Sequence, residues 1–336
     1  MTHLLGLVLL SFFITSFFMV PFINFLFYLK ARYKRPIPKG YDDSKTPIHN
    51  KLLKGKDVNT PVGGGILIIV LLIILSLGYT HYFKIQEPTD IYILILTLVS
   101  FGFIGLIDDV QKILIAFSGK YAGIKALLIL VLQTIFALLL GTILYLQVGL
   151  NNIYIAGLGN FVIGLWYIPL AAFMIVAFSN AYNVSDGLDG LSSGLLLICL
   201  FALLVLAQSG LNLNLAVFVG IWIGALLAFL YFNVYPARIY LGDAGALSFG
   251  ATLAVVGLLT GKILALGIIG GVYVIIIVSS TIQILSKKFF QRKFFPVAPI
   301  HMYFKYIGWE EPKIVFRFWL IQALFAILGL WLALIY

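Results

Sequence analysis

Residues 213–233 read LNLAVFVGIWIGALLAFLYFN, 21 positions without a charged side chain. A helix of that length rises about 30 Å, the thickness of a bilayer's hydrocarbon core. Such stretches recur along the whole chain, and nothing else in the sequence limits the fold as strongly. Backbone amides inside lipid must be paired within their own segment, so an all-α bundle of membrane-crossing helices is expected. Ten spans are expected, near residues 3–28, 62–80, 91–107, 124–144, 161–179, 191–209, 213–233, 246–260, 264–285 and 314–335. Only 10% of the 336 residues are Asp, Glu, Lys or Arg, where a soluble domain carries about 25%. The apolar start runs on through Phe27 without a small-residue cleavage pattern and reads as a retained first span. The one cysteine, Cys199, lies inside an apolar run, which excludes a disulfide framework. Residues 1–336 are expected to form a single integral-membrane domain.

A net charge of +10 invites a nucleic-acid reading, but the placement of the charges argues against such a partner. If the spans alternate direction, the odd loops and their span ends hold 20 of the 22 Lys and Arg, all but Lys84 and Lys262. Positive charge accumulates on the cytoplasmic side, so the odd loops are expected there and both termini outside. Ten of the twelve acids, all but Glu87 and Asp90, fall on the same side. The positive-inside rule does not govern acids, so their clustering needs a separate cause.

That side carries five polar strings. "DVNTPVGGGILII" (57–69) places Thr60-Pro61 at a helix start, and Gly63–Gly65 allow close approach of a ligand or a neighbouring helix. "FGFIGLIDDVQKI" (101–113) ends a span on Asp108 and Asp109, with Lys112 one turn later if the helix continues. Adjacent carboxylates repel unless a cation, a metal or a shared proton relieves them. In "NAYNVSDGLDGLSSG" (180–194), Asn180, Asn183, Asp186 and Asp189 recur every three residues, which on a helical path puts them on roughly one face. Those oxygen-bearing side chains suit Mg²⁺, a sugar or a nucleobase. "YFNVYPARIYLGDAGALSFGA" (231–251) sets Asp243 between Gly242 and Gly245, where it can cap a helix or hold a metal beside a phosphate. A basic, aromatic string (287–319) contributes His301. Acids for Mg²⁺ beside lysines for phosphate are what phosphoryl transfer requires, and their place at a bilayer edge implies a lipid substrate.

"NTPVGGG", "DDVQK", "NAYNVSDGLDG" and "GDAGAL", in this order, resemble the polyprenyl-phosphate N-acetylhexosamine-1-phosphate transferases, over nearly the whole chain. "PIHMYFKYIGWEEPKIVFRFW" is most similar to the branch acting in bacterial peptidoglycan synthesis. Two motifs depart from that branch. Its three consecutive histidines are replaced by His301, Met302 and Tyr303, and "NTPVGGG" stands where it reads Gly-Thr-Pro-Thr-Met-Gly-Gly. The resemblance implies transfer of phospho-MurNAc-pentapeptide from its UDP donor to undecaprenyl phosphate, giving lipid I and UMP. It also implies Mg²⁺ as cofactor and a multi-pass protein of the bacterial plasma membrane with its site at the cytoplasmic edge, and it is compatible with a homodimer. Asp243 is similar to the family's Mg²⁺ ligand, with Asp186 as a second. Asp108 and Asp109 match acids near the lipid phosphate, and His301 matches a histidine needed for activity. Asn183, Asp186 and Asp189 match residues near nucleotide and metal, Tyr240 a position stacking on uracil, and Lys125 a lysine beside the site. Lys112, Asn180 and Thr60 complete the expected substrate-binding set.

Three other readings compete. A sister transferase moving GlcNAc-1-phosphate or another HexNAc-1-phosphate fits the missing histidines. A transporter or channel predicts acids near span midpoints, where this chain has essentially none. A non-enzymatic scaffold leaves the intact acids unexplained.

Overall fold

A computed structural model describes residues 2–30, 60–118 and 126–335. Twelve α-helices make up most of this: α1 (Thr2–Lys30), α2 (Gly64–Tyr82), α3 (Thr89–Ser118), α4 (Ala126–Gln147), α5 (Tyr167–Ser185), α6 (Leu191–Ser209), α7 (Leu213–Asn233), α8 (Asp243–Leu259), α9 (Ile263–Ile269), α10 (Gly271–Phe290), α11 (Ile300–Tyr306) and α12 (Glu311–Leu334). Nine are long and apolar enough to cross a membrane. A further apolar helix among the described residues, α8, is shorter, at 17 residues. It is also the most enclosed, with every residue from Ala244 to Leu259 buried against α2, α3, α5 and their neighbours. Large rings lock this centre. Trp222 of α7 meets Phe249 of α8 edge-on at 5.4 Å, and Tyr182 of α5 approaches the same ring at 6.1 Å while stacking on Tyr273 of α10 at 5.6 Å.

Two expected spans differ in detail. Residues 161–163 do not begin the fifth, whose apolar helical stretch runs over Gly164–Ser185. Instead β1 (Asn152–Ile155) and β2 (Gly159–Val162) form an antiparallel hairpin, a short 3-10 turn follows, and α5 starts at Tyr167. The ninth is not continuous, because α9 ends at Ile269 and α10 starts at Gly271. A break inside lipid frees backbone groups that water cannot reach, so a neighbouring helix has to satisfy them. Gln322 of α12 does so: its Oε1 accepts from the Val272 N–H at 3.2 Å and its Nε2 donates to the Ile269 carbonyl.

Loops expected on one side of the membrane touch each other. At one end, Tyr240 N–H donates to the Pro61 carbonyl, Lys112 pairs with Asp243, Asp189 bonds the Ala237 N–H, and Glu311 bonds the Asp189 N–H. All five odd loops are thereby joined. At the other end, Asn212 donates to Asp90 at 2.6 Å, and the Lys262 ammonium lies 3.1 Å from the centre of the Tyr154 ring. The even loops meet there. The alternation of spans read from charge is therefore also the alternation of the helices.

Candidate active site

The polar end is built where α3, α2 and α8 approach closely. A Cβ on Gly65 would lie 2.3 Å from the Gly245 Cα, and one on Gly105 would lie 2.2 Å from the Asp243 carbonyl oxygen. Only hydrogen fits at these points, so both glycines serve helix contact rather than ligand approach. Before α2 the chain runs beside the segment leading into α8. Gly63 and Gly64 N–H both donate to the Tyr240 carbonyl at 3.0 and 2.9 Å, Gly65 N–H donates to the Leu241 carbonyl at 2.9 Å, and Thr60 Oγ1 donates to the Ala237 carbonyl at 3.1 Å. The "NTPVGGG" and "GDAGAL" strings are thus two sides of one backbone pairing, and Thr60 is a clamp within it. Gly242, at φ +84°, provides the turn that delivers Asp243 to the first position of α8.

Helix α3 continues past its carboxylates, so Lys112 lies one turn after Asp108 and its ammonium pairs with Asp108 Oδ2 at 2.7 Å. The same ammonium bonds Asp243 Oδ2. Asp109 Oδ2 accepts from the Ala244 N–H at 3.1 Å, next to the start of α8. Three carboxylates and one ammonium therefore converge, with Asp108 only 7% exposed and Lys112 open to solvent. Negative charge in excess, beside the positive end of a helix dipole, can hold a cation on one flank and phosphate on the other.

The third string does not stay helical. α5 ends at Ser185, Gly187 follows Asp186, and Gly190 adopts φ +76° before α6 begins. Asn180, Asn183, Asp186 and Asp189 therefore do not share one face as their spacing suggests. Asn180 donates to Gln133 of α4 at 2.7 Å, and Asn183 lies half-buried on the last turn of α5. Asp186 accepts from Ser192 Oγ at 2.5 Å, and Asp189 turns towards the pairing just described. Its Oδ2 accepts from the Ala237 N–H at 3.0 Å and its Oδ1 from the Tyr240 hydroxyl at 3.3 Å, so the tyrosine whose ring is a candidate nucleobase platform is held at its hydroxyl. His301 of α11 is buried against this turn, its Nε2 3.3 Å from where a Cβ on Gly187 would be. Lys125 and the charged residues of 31–59 lie outside the described residues.

Among the described residues no group of three or more His, Cys, Asp or Glu side chains is arranged to hold a metal alone. Mg²⁺ does not require one, since it is commonly held by one or two carboxylates together with substrate phosphates and water. One or two of the hard oxygen donors among Asp108, Asp109 and Asp243 would fit that habit. Lys305 and Glu311 were not expected in the site. Glu311 is 6% exposed, and both of its carboxylate oxygens are engaged there.

The chain matches the model of glycosyl transferase family 4 over residues 91–261. Curated relatives named phospho-N-acetylmuramoyl-pentapeptide-transferase align with most of it. The Clostridioides difficile (strain 630) protein is 36% identical over 270 residues, covering 80% of this chain and 81% of that protein. The Geobacillus sp. (strain WCH70) protein is 33% identical over 329 residues, 97% and 96% respectively. The Bacillus subtilis (strain 168) protein is 34% identical over 278 residues, 82% and 85%.

Proposed function

Because the chain belongs to glycosyl transferase family 4, among its phospho-N-acetylmuramoyl-pentapeptide-transferases, we propose that it makes lipid I, transferring phospho-MurNAc-pentapeptide from the UDP donor to undecaprenyl phosphate and releasing UMP. The observation that carries this reading onto particular residues is the Lys112 ammonium shared by Asp108 and Asp243, which gathers acids of two helices at one polar end of the bundle.

In the reaction, an oxygen of the lipid phosphate bonds to the sugar-bearing phosphorus of the donor, and the bond from that phosphorus to the bridging oxygen breaks as UMP leaves. The lipid phosphate is a monoester with a second pKa near 6, so it is largely ionised at neutral pH and needs no strong base. Bringing one anion to another is harder. Two unit charges 4 Å apart repel by roughly 4 kcal/mol at an effective dielectric of ~20. Lys112 answers part of this, since its ammonium can turn from the carboxylates to an arriving phosphate. Asp108 orients the attacking phosphate or takes its residual proton, and the Asp189–Tyr240 contact fixes a ring for the uracil. Asp243 would hold Mg²⁺, which would supply charge neutralisation for the phosphates when bound. The excess of Lys and Arg on the odd loops supports a cytoplasmic position for this end, where the soluble donor is made.

A donor panel tests the reading. Purified protein with undecaprenyl phosphate and Mg²⁺ is expected to release UMP from UDP-MurNAc-pentapeptide and to leave UDP-GlcNAc intact. Release from UDP-GlcNAc alone would assign it instead to the sister transferases.

A further inference from the structure

Glu311 stands at the start of α12, buried, and among its bonds are two to described residues that lead in different directions. Its Oε1 accepts from the Asp189 N–H at 2.7 Å, and its Oε2 accepts from the Lys305 ammonium at 2.8 Å. Asp189 passes the connection on through its own carboxylate to the Ala237 N–H and the Tyr240 hydroxyl. Tyr240, three residues before Asp243, is paired through its backbone with Pro61, Gly63 and Gly64. One bonded line therefore runs from α11 to the residue pair that would receive a nucleobase. Lys305 also lies four residues after His301 on α11, so the two share a helix face, and His301 abuts Gly187 in the same turn.

Burying Glu311 beside a partly buried lysine carries a desolvation cost, and apolar residues of similar volume often stabilise a fold equally well or better. What the pair adds is fixed geometry. We infer that Glu311, held in place by Lys305, is a positioning residue for the uridine nucleotide: it fixes the 186–190 turn and, through Asp189, the Tyr240 ring. The role rests on the lipid I reading above and deepens it. Glu311 and Lys305 touch neither the transferring phosphorus nor the lipid phosphate in this scheme. Their loss should therefore appear in nucleotide affinity and not in the rate at saturation.

The test titrates UMP into the purified full-length protein by calorimetry and follows steady-state transfer with UDP-MurNAc-pentapeptide. Glu311→Gln keeps the shape and an acceptor for the Asp189 N–H but removes the ion pair. It is expected to weaken UMP binding and raise the donor KM about tenfold, with kcat and the lipid KM within about twofold. Lys305→Met should do the same, the double variant should be no worse than either single one, and Lys305→Arg should restore wild-type affinity. Thermal unfolding of each variant reports whether the fold is intact, and Lys305→Met stands in if Glu311→Gln does not fold. Unchanged UMP affinity in both single variants overturns the inference while leaving lipid I synthesis standing. A fall in kcat that parallels losses for both substrates also overturns it, because that marks a merely structural role. A wild type that binds no UMP overturns the reading and the inference together.

Discussion

Asp243→Asn is expected to lower UMP release by three orders of magnitude or more, equivalent to about 4 kcal/mol of transition-state stabilisation. The substitution keeps the side chain's shape and its place at the first position of α8, so thermal unfolding should change little. What it removes is one of the three carboxylate charges around Lys112. Among the described residues the ammonium then keeps its ion pair with Asp108 and is held differently for an arriving phosphate, while the best-placed hard oxygen donor becomes a neutral amide. The Mg²⁺ concentration that supports half of the residual rate should rise. Initial rates across a Mg²⁺ titration read both effects, and a variant retaining more than a tenth of wild-type activity contradicts the assignment.

The second large effect comes from a residue with no side chain. Gly105→Ala is expected to cost at least a hundredfold in activity, because a methyl group there meets the Asp243 carbonyl oxygen at 2.2 Å and the Ala244 nitrogen at 2.5 Å. Both are backbone atoms and cannot rotate away, so α3 and α8 must part. The Asp109–Ala244 bond and the shared lysine then both lose their geometry, and misplacement by about 1 Å is enough for a loss of that size. Gly102→Ala, one turn earlier on the same helix, is the control. Its added carbon meets only the end of the Ile69 side chain closer than 3.4 Å, at 3.2 Å from Ile69 Cδ1, so it should keep most of the activity.

Legibility of the sequence depended on range. The Asp108–Lys112 pairing could be read because a helix places residues four apart on one face, and α3 does continue. The spans and their alternation followed from apolar length and charge placement, both local in the chain. The glycines of "NTPVGGG" signalled a close approach but could not name its partner, Gly245, which lies far away in sequence. The three-residue spacing from Asn180 to Asp189 suggested a helical face, yet Gly187 and Gly190 end the helix and send Asn180 and Asp189 to different neighbours. The hairpin at 152–162 was missed because its strands are only four residues long and run into an apolar span. The break at Gly270 was missed because both halves are apolar, and its compensation by Gln322 comes from another helix. Glu311 is, in sequence, one of the ten acids on the odd loops. Its bond to Asp189 spans 122 residues and leaves no local signature.

Lipid I synthesis as proposed requires one polar end of the bundle to carry out the transfer while facing the cytoplasm. Sealed right-side-out vesicles holding the protein and undecaprenyl phosphate test this when UDP-MurNAc-pentapeptide, which cannot cross the bilayer, is added outside with Mg²⁺. Negligible UMP is predicted while the vesicles are sealed, and the full rate once they are opened. Equal UMP release before and after opening would place the transferring face outside and contradict the account.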